Sequence, residues 1–157
     1  MKNIWLAAVS LLLALLTGCT STPPILSIGL LGPFEGRHRR QGYEALYAVR
    51  LALADSGTEY HLLALDDGGT LESAEQRAAA LALDQSVVHV LLVGELANDP
   101  LVKVQLKQPF TSVQPSTLPD EAFRQRYLAS ARYAPTPNAL ALASYRAALS
   151  VTTSARR

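Results

Sequence analysis

The side chains that could carry out chemistry are few and scattered along this sequence. The three histidines, His38, His61 and His89, lie in a loop and in two separate apolar runs, so their spacing suits no metal site. Asp66 and Asp67 form an acidic pair, but two glycines follow them, which is typical of a turn before a helix. The Gly-x-Ser-x-Gly, Gly-x-Gly-x-x-Gly, Walker A and His-Glu-x-x-His motifs are missing. We therefore expect a protein that is not an enzyme, with no catalytic residue and no metal or other cofactor.

The densest charge cluster is RHRR at residues 37–40. It precedes the first predicted helix, where backbone N–H groups attract anions. A solvated loop is the favoured interpretation because the patch is small, and an anion site is the alternative. The whole chain has 14 Lys and Arg against 13 Asp and Glu, so its net charge of +1 creates no field that would attract nucleic acid. We expect no nucleic-acid partner.

The single cysteine lies at the end of an export signal. A basic residue precedes the apolar run 4–16, which has the length of a signal-peptide core and is too short for a membrane span. The next residues complete the sequence LTGC, which resembles the lipobox of bacterial lipoproteins, in which the cysteine is lipidated. This resemblance implies a signal peptide at 1–18, a lipid on Cys19 and a lipidated tether at 19–24. The anchor would lie in the cell membrane or outer membrane, facing the periplasm or the cell exterior. A cleaved signal with an incidental cysteine is the alternative.

The rest of the chain alternates short apolar runs with helical patterns. Residues 25–31, 60–65 and 87–93 are nearly continuous apolar runs, typical of strands that are buried on both faces of a parallel sheet. The segments between them repeat apolar residues at helical spacing. In the second of these segments Thr70 is the expected N-cap, and one helical face is marked by Leu71, Ala74, Ala78 and Leu81. The composition, 49% hydrophobic and 17% charged, is that of a packed globular domain. The sequence therefore predicts an α/β fold, a three-layer α-β-α sandwich with a mostly parallel sheet.

The later segments carry weaker signals. Residues 101–113 alternate weakly and predict a further strand, with Pro109 excluding the later part of it from the centre of the sheet. One helix is expected to begin near Pro119. Another is expected to have Thr136 as its N-cap and Pro137 at its first position.

Four segments resemble the type I periplasmic binding proteins, the family of leucine/isoleucine/valine receptors of ABC transporters. LSIGLLGPFEGRHRRQGYEALYAVRLAL resembles the family's first strand, glycine-bearing loop and first helix. LLALDDGG resembles its second strand with an Asp-containing turn, and VVHVLLVGELAND resembles its third strand and the following loop. FRQRYLASARYAPTPNALALASYRAAL resembles a late segment of the family. The resemblance covers nearly the whole mature chain.

In full-length members of that family the late segment follows an entire second lobe, which this sequence lacks. The resemblance therefore implies that residues 25–150 form a single periplasmic-binding-protein-like I lobe, with an internal joint within 97–108. Residues 151–157 show no packing pattern and are expected to fray.

The function that the resemblance implies is that of a membrane-anchored, extracytoplasmic solute-binding lipoprotein without its second lobe. Its ligand would be a small polar solute such as an amino acid. Its partner would be an ABC transporter permease or a second chain that completes the cleft. A lipid-anchored interaction or sensor module and a truncated, non-functional relative are the alternatives.

The ligand-binding residues are expected beyond the carboxyl ends of the strands, where ligands bind to open α/β sheets. In the family these loops form one side of a cleft. The candidates in this chain are Phe34, Glu35, Asp67, Glu95 and Asn98. The family has Ser or Thr after the third strand to bind a ligand carboxylate, whereas Glu95 would repel one and only Asn98 could substitute.

Overall fold

The computed structural model describes residues 25–154 of the chain. The strands are β1 (Ser27–Gly32), β2 (His61–Asp66), β3 (Val87–Leu92) and β4 (Phe110–Ser112). The α-helices in this part of the chain are α1 (Arg39–Ser56), α2 (Leu71–Leu83), α3 (Pro100–Lys103), α4 (Glu121–Ser130) and α5 (Ala139–Ser154). Short 3-10 turns cover Gly36–His38 and Leu96–Asn98. None of the helices described is long and apolar enough to cross a membrane.

Three predictions concern the amino-terminal end of the chain and lie outside the described residues. They are the signal peptide at 1–18, the lipid on Cys19 and the tether at 19–24. They stay predictions.

The sheet has the strand order β2-β1-β3-β4, and every pair of neighbouring strands is parallel. The central strand β1 is buried along its whole length because it pairs with a strand on each side and has helices on both faces. β4 is short and pairs with β3 only over Val90–Leu92. The predicted α/β fold with a parallel sheet is confirmed.

Helices cover both faces of this sheet. On one face, Ile28 and Leu30 of β1 pack with Val49 of α1 and Ala148 of α5. On the other face, Leu31 of β1 packs with the small side chains of α2 and with α3. Alternate residues of a strand point to opposite faces, so the apolar run of β1 contributes to both cores. The predicted three-layer sandwich is confirmed.

The helix α2 follows its sequence pattern closely. The Thr70 side chain accepts a hydrogen bond from Ser73 N at 3.2 Å, which makes it the predicted N-cap. Ala74, Ala78 and Leu81 are fully buried at the expected i, i+4 and i+7 spacing. Local capping and periodicity were sufficient to place this helix.

The helix α4 packs outside α1 and α5. Phe123 lies edge-on to Tyr145 of α5, with ring centroids 5.3 Å apart, and Tyr127 is fully buried against α1. The Tyr145 hydroxyl donates to Asp55 at 2.8 Å, and Arg126 forms an ion pair with the same carboxylate. The late segment of the chain therefore covers the lobe formed by the early segment.

The prediction of a strand over 101–113 was wrong for most of its length. Residues 100–103 form α3, because Pro100 occupies the first helical position and the Asp99 side chain accepts a hydrogen bond from Leu101 N at 2.8 Å. Capping and proline geometry prevail over the weak alternation. Only Phe110–Ser112 form a strand, which lies at the edge of the sheet directly after Pro109.

Two predictions about the last helix also need correction. The N-cap is Asn138 rather than Thr136, because the Asn138 side-chain oxygen accepts hydrogen bonds from Leu140 N at 2.8 Å and Ala141 N at 3.3 Å. The predicted fraying of 151–157 is wrong for 151–154, which continue α5. Val151 and Thr152 extend the buried face, so the folded unit passes residue 150. Residues 155–157 lie outside the described residues.

Candidate functional site

A cleft of about 660 Å³ opens at the carboxyl edge of the sheet, beyond β3 and β4. The loop after β3 forms one side, the segment after β4 forms another, and the start of α5 closes the third. The polar side chains that line it belong to Gln41, Glu95, Asn98, Asp99, Gln114 and Asn138. Parallel strands end together at this edge, and the loops that follow them converge there. The topology therefore places the cleft where the sequence predicted a site.

The loop after β3 is braced by Asn98. Its side-chain Nδ2 donates to Gly94 O at 2.8 Å and to Leu92 O at 3.3 Å. Its Oδ1 is buried and has no hydrogen-bond partner within the described part of the chain. A buried acceptor without a donor is costly, so this oxygen favours any donor that can reach it.

Gly94 brings two loops together at the side of the cleft. Its φ of +86° is a conformation that side chains other than glycine rarely adopt, and a Cβ there would lie 3.1 Å from the ring of Pro33. The loops after β1 and β3 can therefore touch only because residue 94 is glycine.

Two of the five candidate ligand-binding residues line the cleft, Glu95 and Asn98. Phe34 lies elsewhere, with its ring edge-on to Tyr43 at a centroid distance of 5.9 Å. The exposed Glu35 also lies off the cleft, and its backbone N–H donates to the Asp66 carboxylate at 3.0 Å. The loop after β1 is thus tied to the loop after β2 rather than directed at the cleft.

Asp67 is also outside the cleft. It is buried in the turn after β2, where its Oδ1 accepts a hydrogen bond from Gly69 N at 2.9 Å, just as Asp66 accepts one from Gly68 N at 2.8 Å. Burial raises the pKa of the Asp67 carboxyl group, although the hydrogen bond from Gly69 acts in the opposite direction. The acidic pair shapes a turn, as the glycines after it indicated.

Sequence reasoning missed four of the cleft's polar residues: Gln41, Asp99, Gln114 and Asn138. Asn138 had a usable signal, since an Asn that precedes an apolar helical pattern is a strong N-cap candidate. Gln41 and Asp99 lie close in the sequence to the candidates Glu35 and Asn98, but no pattern distinguished them from their neighbours. Gln41 belongs to α1 rather than to a loop. Gln114 follows an edge strand that the sequence did not delimit, so nothing marked it.

A buried carboxylate positions Asn138 at the cleft. Glu44 of α1 is 1% exposed, and it accepts hydrogen bonds from Arg40 Nε at 2.8 Å and Asn138 Nδ2 at 2.7 Å. The Tyr127 hydroxyl donates to the Glu44 backbone oxygen at 3.2 Å, and burial raises the pKa of this tyrosine, which keeps it a donor. Asn138 thereby joins the start of α5 to the middle of α1.

This ion pair also limits what the basic cluster can do. The Arg40 side chain stays 66% exposed although it pairs with Glu44, and the other three residues of the cluster are exposed as well. None of these four residues lines the cleft. The cluster is therefore solvated, but it is not a loop, because Arg39 and Arg40 lie in the first turn of α1.

The cleft carries negative charge. Glu95 is exposed on its rim, and the Asp99 carboxylate caps α3 beside it. No Lys or Arg lines it among residues 25–154, and in the same range no group of three or more His, Cys, Asp or Glu could hold a metal ion. The cleft therefore suits uncharged polar groups and cations better than carboxylates.

An open parallel α/β lobe with a polar cleft at the carboxyl edge has the architecture of a small-molecule binding domain.

No protein-family model matches the chain, and no curated protein matches it. Solved structures do. A substrate-binding periplasmic protein from Ralstonia solanacearum is 22% identical over 54% of this chain and 28% of its own, with a TM-score of 0.47. A possible leucine/isoleucine/valine-binding protein from Rhodopirellula baltica SH 1 is 21% identical over 57% of this chain and 28% of its own, also with a TM-score of 0.47.

A third structure, an ABC transporter substrate-binding protein from Sphaerobacter thermophilus, is 21% identical over 65% of this chain and 30% of its own, with a TM-score of 0.45. These are proteins of the kind that the sequence resemblance named. The chain spans less than a third of the length of each.

Proposed function

We propose that the chain is an extracytoplasmic solute-binding lipoprotein that supplies one side of a binding site. The observation that carries the proposal is the cleft of about 660 Å³, with its six polar side chains, at the carboxyl edge of an all-parallel sheet. Lipidation of Cys19 would hold the lobe at a membrane, where a transporter permease or a second chain could meet it.

The lining of the cleft favours particular ligands. Gln41 and Gln114 offer amide groups, which donate and accept hydrogen bonds, whereas the Asn98 amide nitrogen already donates to two backbone oxygens of its own loop. Glu95 and Asp99 would repel the carboxylate of an amino acid unless its ammonium group lies closer to them. Small amides, amines and amino acids that are bound through their ammonium group are therefore the expected solutes.

The cleft is partly open to solvent, so the lobe alone leaves part of a bound solute in water. Two-lobed receptors close around their ligands, whereas a lone lobe buries less of the ligand surface. We expect weak binding, in the millimolar range, by the lobe alone and tighter binding where a second chain covers the cleft.

Thermal unfolding of the mature domain with amino acids, small amides, amines and carboxylates at millimolar concentration tests this proposal. A ligand that binds only the folded state raises the melting temperature. At least one amide, amine or amino acid is expected to do so, whereas acetate is not.

A matched pair of variants locates the binding. Gln114→Ala removes an exposed amide from the cleft, whereas Gln76→Ala removes one from the exposed face of α2, on the opposite side of the sheet. The ligand-dependent shift is expected to fall in the first variant and to persist in the second. The absence of a shift for every compound, or an equal loss in both variants, would contradict the proposal.

A further inference from the structure

Exposed apolar side chains lie at the end of the lobe opposite the cleft. They belong to Ile25 and Leu26, which precede β1, and to Leu83, which ends α2. We call this surface the amino edge, because the strands begin there. The cleft is separated from it by the length of the strands, about 20 Å for a strand of six residues.

Backbone and side-chain hydrogen bonds bring these segments together. Ser27 N donates to Ser86 O at 2.7 Å, which places the turn after Leu83 beside the start of β1. Ser86 Oγ also donates to Ser27 Oγ at 3.4 Å. The end of α2 and the residues before β1 therefore lie at one end of the lobe. Phe110 lies further along the sheet, because it pairs in register with Val90, which is level with Gly29 of β1.

Charge does not select a partner for this surface. The exposed Glu59 and the half-buried Asp84 lie at the amino edge, and so does the exposed Lys107. Two carboxylates against one ammonium group leave a charge of only −1, so long-range attraction to a nucleic acid or to a strongly charged protein is small. The apolar side chains are what this edge can offer to a partner.

The chain that precedes the described residues indicates what covers this edge. Residues 19–24 connect Cys19 to Ile25, and six residues span at most about 20 Å. A lipid on Cys19 would therefore keep a bilayer within that distance of the amino edge. Exposed apolar side chains at the foot of a short tether suit a membrane interface.

We propose that the amino edge rests on the bilayer, with the side chains of Ile25, Leu26 and Leu83 in the interfacial layer and the cleft directed away from the membrane. This orientation rests on the lipid anchor of the proposed function. Three exposed side chains would bind a membrane weakly by themselves. The tether makes the contact intramolecular, so a weak interaction is sufficient to populate it.

Two leucines of nearly equal exposure allow a matched test. Leu83 at the amino edge is 74% exposed, and Leu118 at the rim of the cleft is 72% exposed. The chain's single tryptophan, Trp5, lies within the predicted signal peptide. Leu83→Trp and Leu118→Trp therefore each place a fluorescent reporter at one end of the mature lobe, and the wild-type chain provides the background.

The full chain is produced in bacteria, extracted from the membrane fraction and reconstituted in phosphatidylcholine vesicles with and without brominated acyl chains. We expect the emission of Leu83→Trp to shift to the blue and to be quenched by the brominated lipid several times more strongly than that of Leu118→Trp. Equal thermal unfolding of the two variants would show that both are folded.

Each other outcome overturns the orientation. Membrane-bound protein with no quenching at position 83, or with equal quenching at both positions, would do so while leaving the lipid anchor intact. A blue shift at position 83 without quenching would mean that a second copy of the chain, rather than lipid, covers the edge. Recovery of the wild-type chain in the soluble fraction would overturn the anchor and the orientation together.

Discussion

The carboxyl group of Asp67 is almost completely removed from solvent in the turn after β2. Burial raises its pKa in the folded protein, so the folded state binds this proton more tightly than the unfolded state does. Its contribution to stability is therefore complete below the unfolded pKa of about 3.8 and is lost as the pH rises through the folded value.

Asp67→Asn should remove the loss of stability that accompanies ionisation of the carboxyl group as the pH rises. The asparagine oxygen would still accept the hydrogen bond from the Gly69 N–H group. We expect the variant to have a higher unfolding free energy than the wild type at pH 7 and the same unfolding free energy near pH 3. Urea unfolding of both proteins across this pH range measures the difference.

Asp84 provides a control of opposite sign. Hydrogen bonds from the side chain and backbone of Ser86 lower the pKa of Asp84, so its contribution to stability is present above the unfolded value and is lost as the pH falls. Asp84→Asn should therefore destabilise the protein at pH 7. The same pH trend in both variants would show that burial does not govern Asp67.

For single residues, the sequence predicted the structure correctly where the interactions are local. The acidic pair before two glycines predicted a turn, and both carboxylates accept hydrogen bonds from a glycine two residues later. The same reasoning could not decide whether Phe34 or Glu35 points into a cleft, because that depends on contacts with residues more than 30 positions away.

The junction of α1 and α5 depends on one asparagine. The Asn138 oxygen caps α5, and its Nδ2 donates to the buried Glu44 carboxylate. Asn138→Ala removes both interactions and leaves part of a buried charge without a donor. We expect a loss of about 2–4 kcal/mol of unfolding free energy, measured by urea denaturation.

Thr70→Ala is the matched control, because Thr70 caps α2 and its hydroxyl forms no hydrogen bond comparable to the one between Asn138 and a buried carboxylate. This variant should lose about 1 kcal/mol. A cost of Asn138→Ala no greater than that of Thr70→Ala would show that the contact with Glu44 adds nothing.

Among the elements, the sequence predicted best those with strong local signals. The three apolar runs became β1, β2 and β3, and α2 has the N-cap and buried face that its pattern indicated. β4 has three residues, and its position depends on pairing with β3, which the sequence of 101–113 does not encode by itself. Asn138 replaced Thr136 as the cap because an asparagine at that position also binds Glu44, 94 residues earlier.

For the whole molecule, the first question is whether a lipid holds the lobe at a membrane. Cys19→Ser removes the only cysteine, and with it the only lipidation site of the predicted lipobox. We expect the variant to move from the membrane fraction to the soluble fraction, since the apolar side chains of the amino edge bind too weakly without a tether.

Fractionation of the producing bacteria, followed by immunoblotting, measures this change. Unchanged thermal unfolding of the soluble variant would show that the lobe itself is intact. Continued membrane association of Cys19→Ser would contradict the lipobox prediction.

The sequence by itself determined the class of fold. Apolar runs of strand length that alternate with helical patterns leave few alternatives to a parallel sheet covered on both faces, because each run must bury both of its faces. It also indicated the edge of the sheet where a site would form, since the carboxyl ends of parallel strands coincide.

Only the tertiary structure decided which residues meet there. The cleft combines Gln41 of α1, Asn98 of the loop after β3 and Asn138 at the start of α5. Each is placed by packing between elements that are distant in the sequence. The amino edge likewise unites Ile25, Leu26 and Leu83, although no pattern in the sequence links the first two to the third. Such sets form because hydrophobic burial fixes the relative positions of whole elements, and side chains that have no local relation become neighbours as a result.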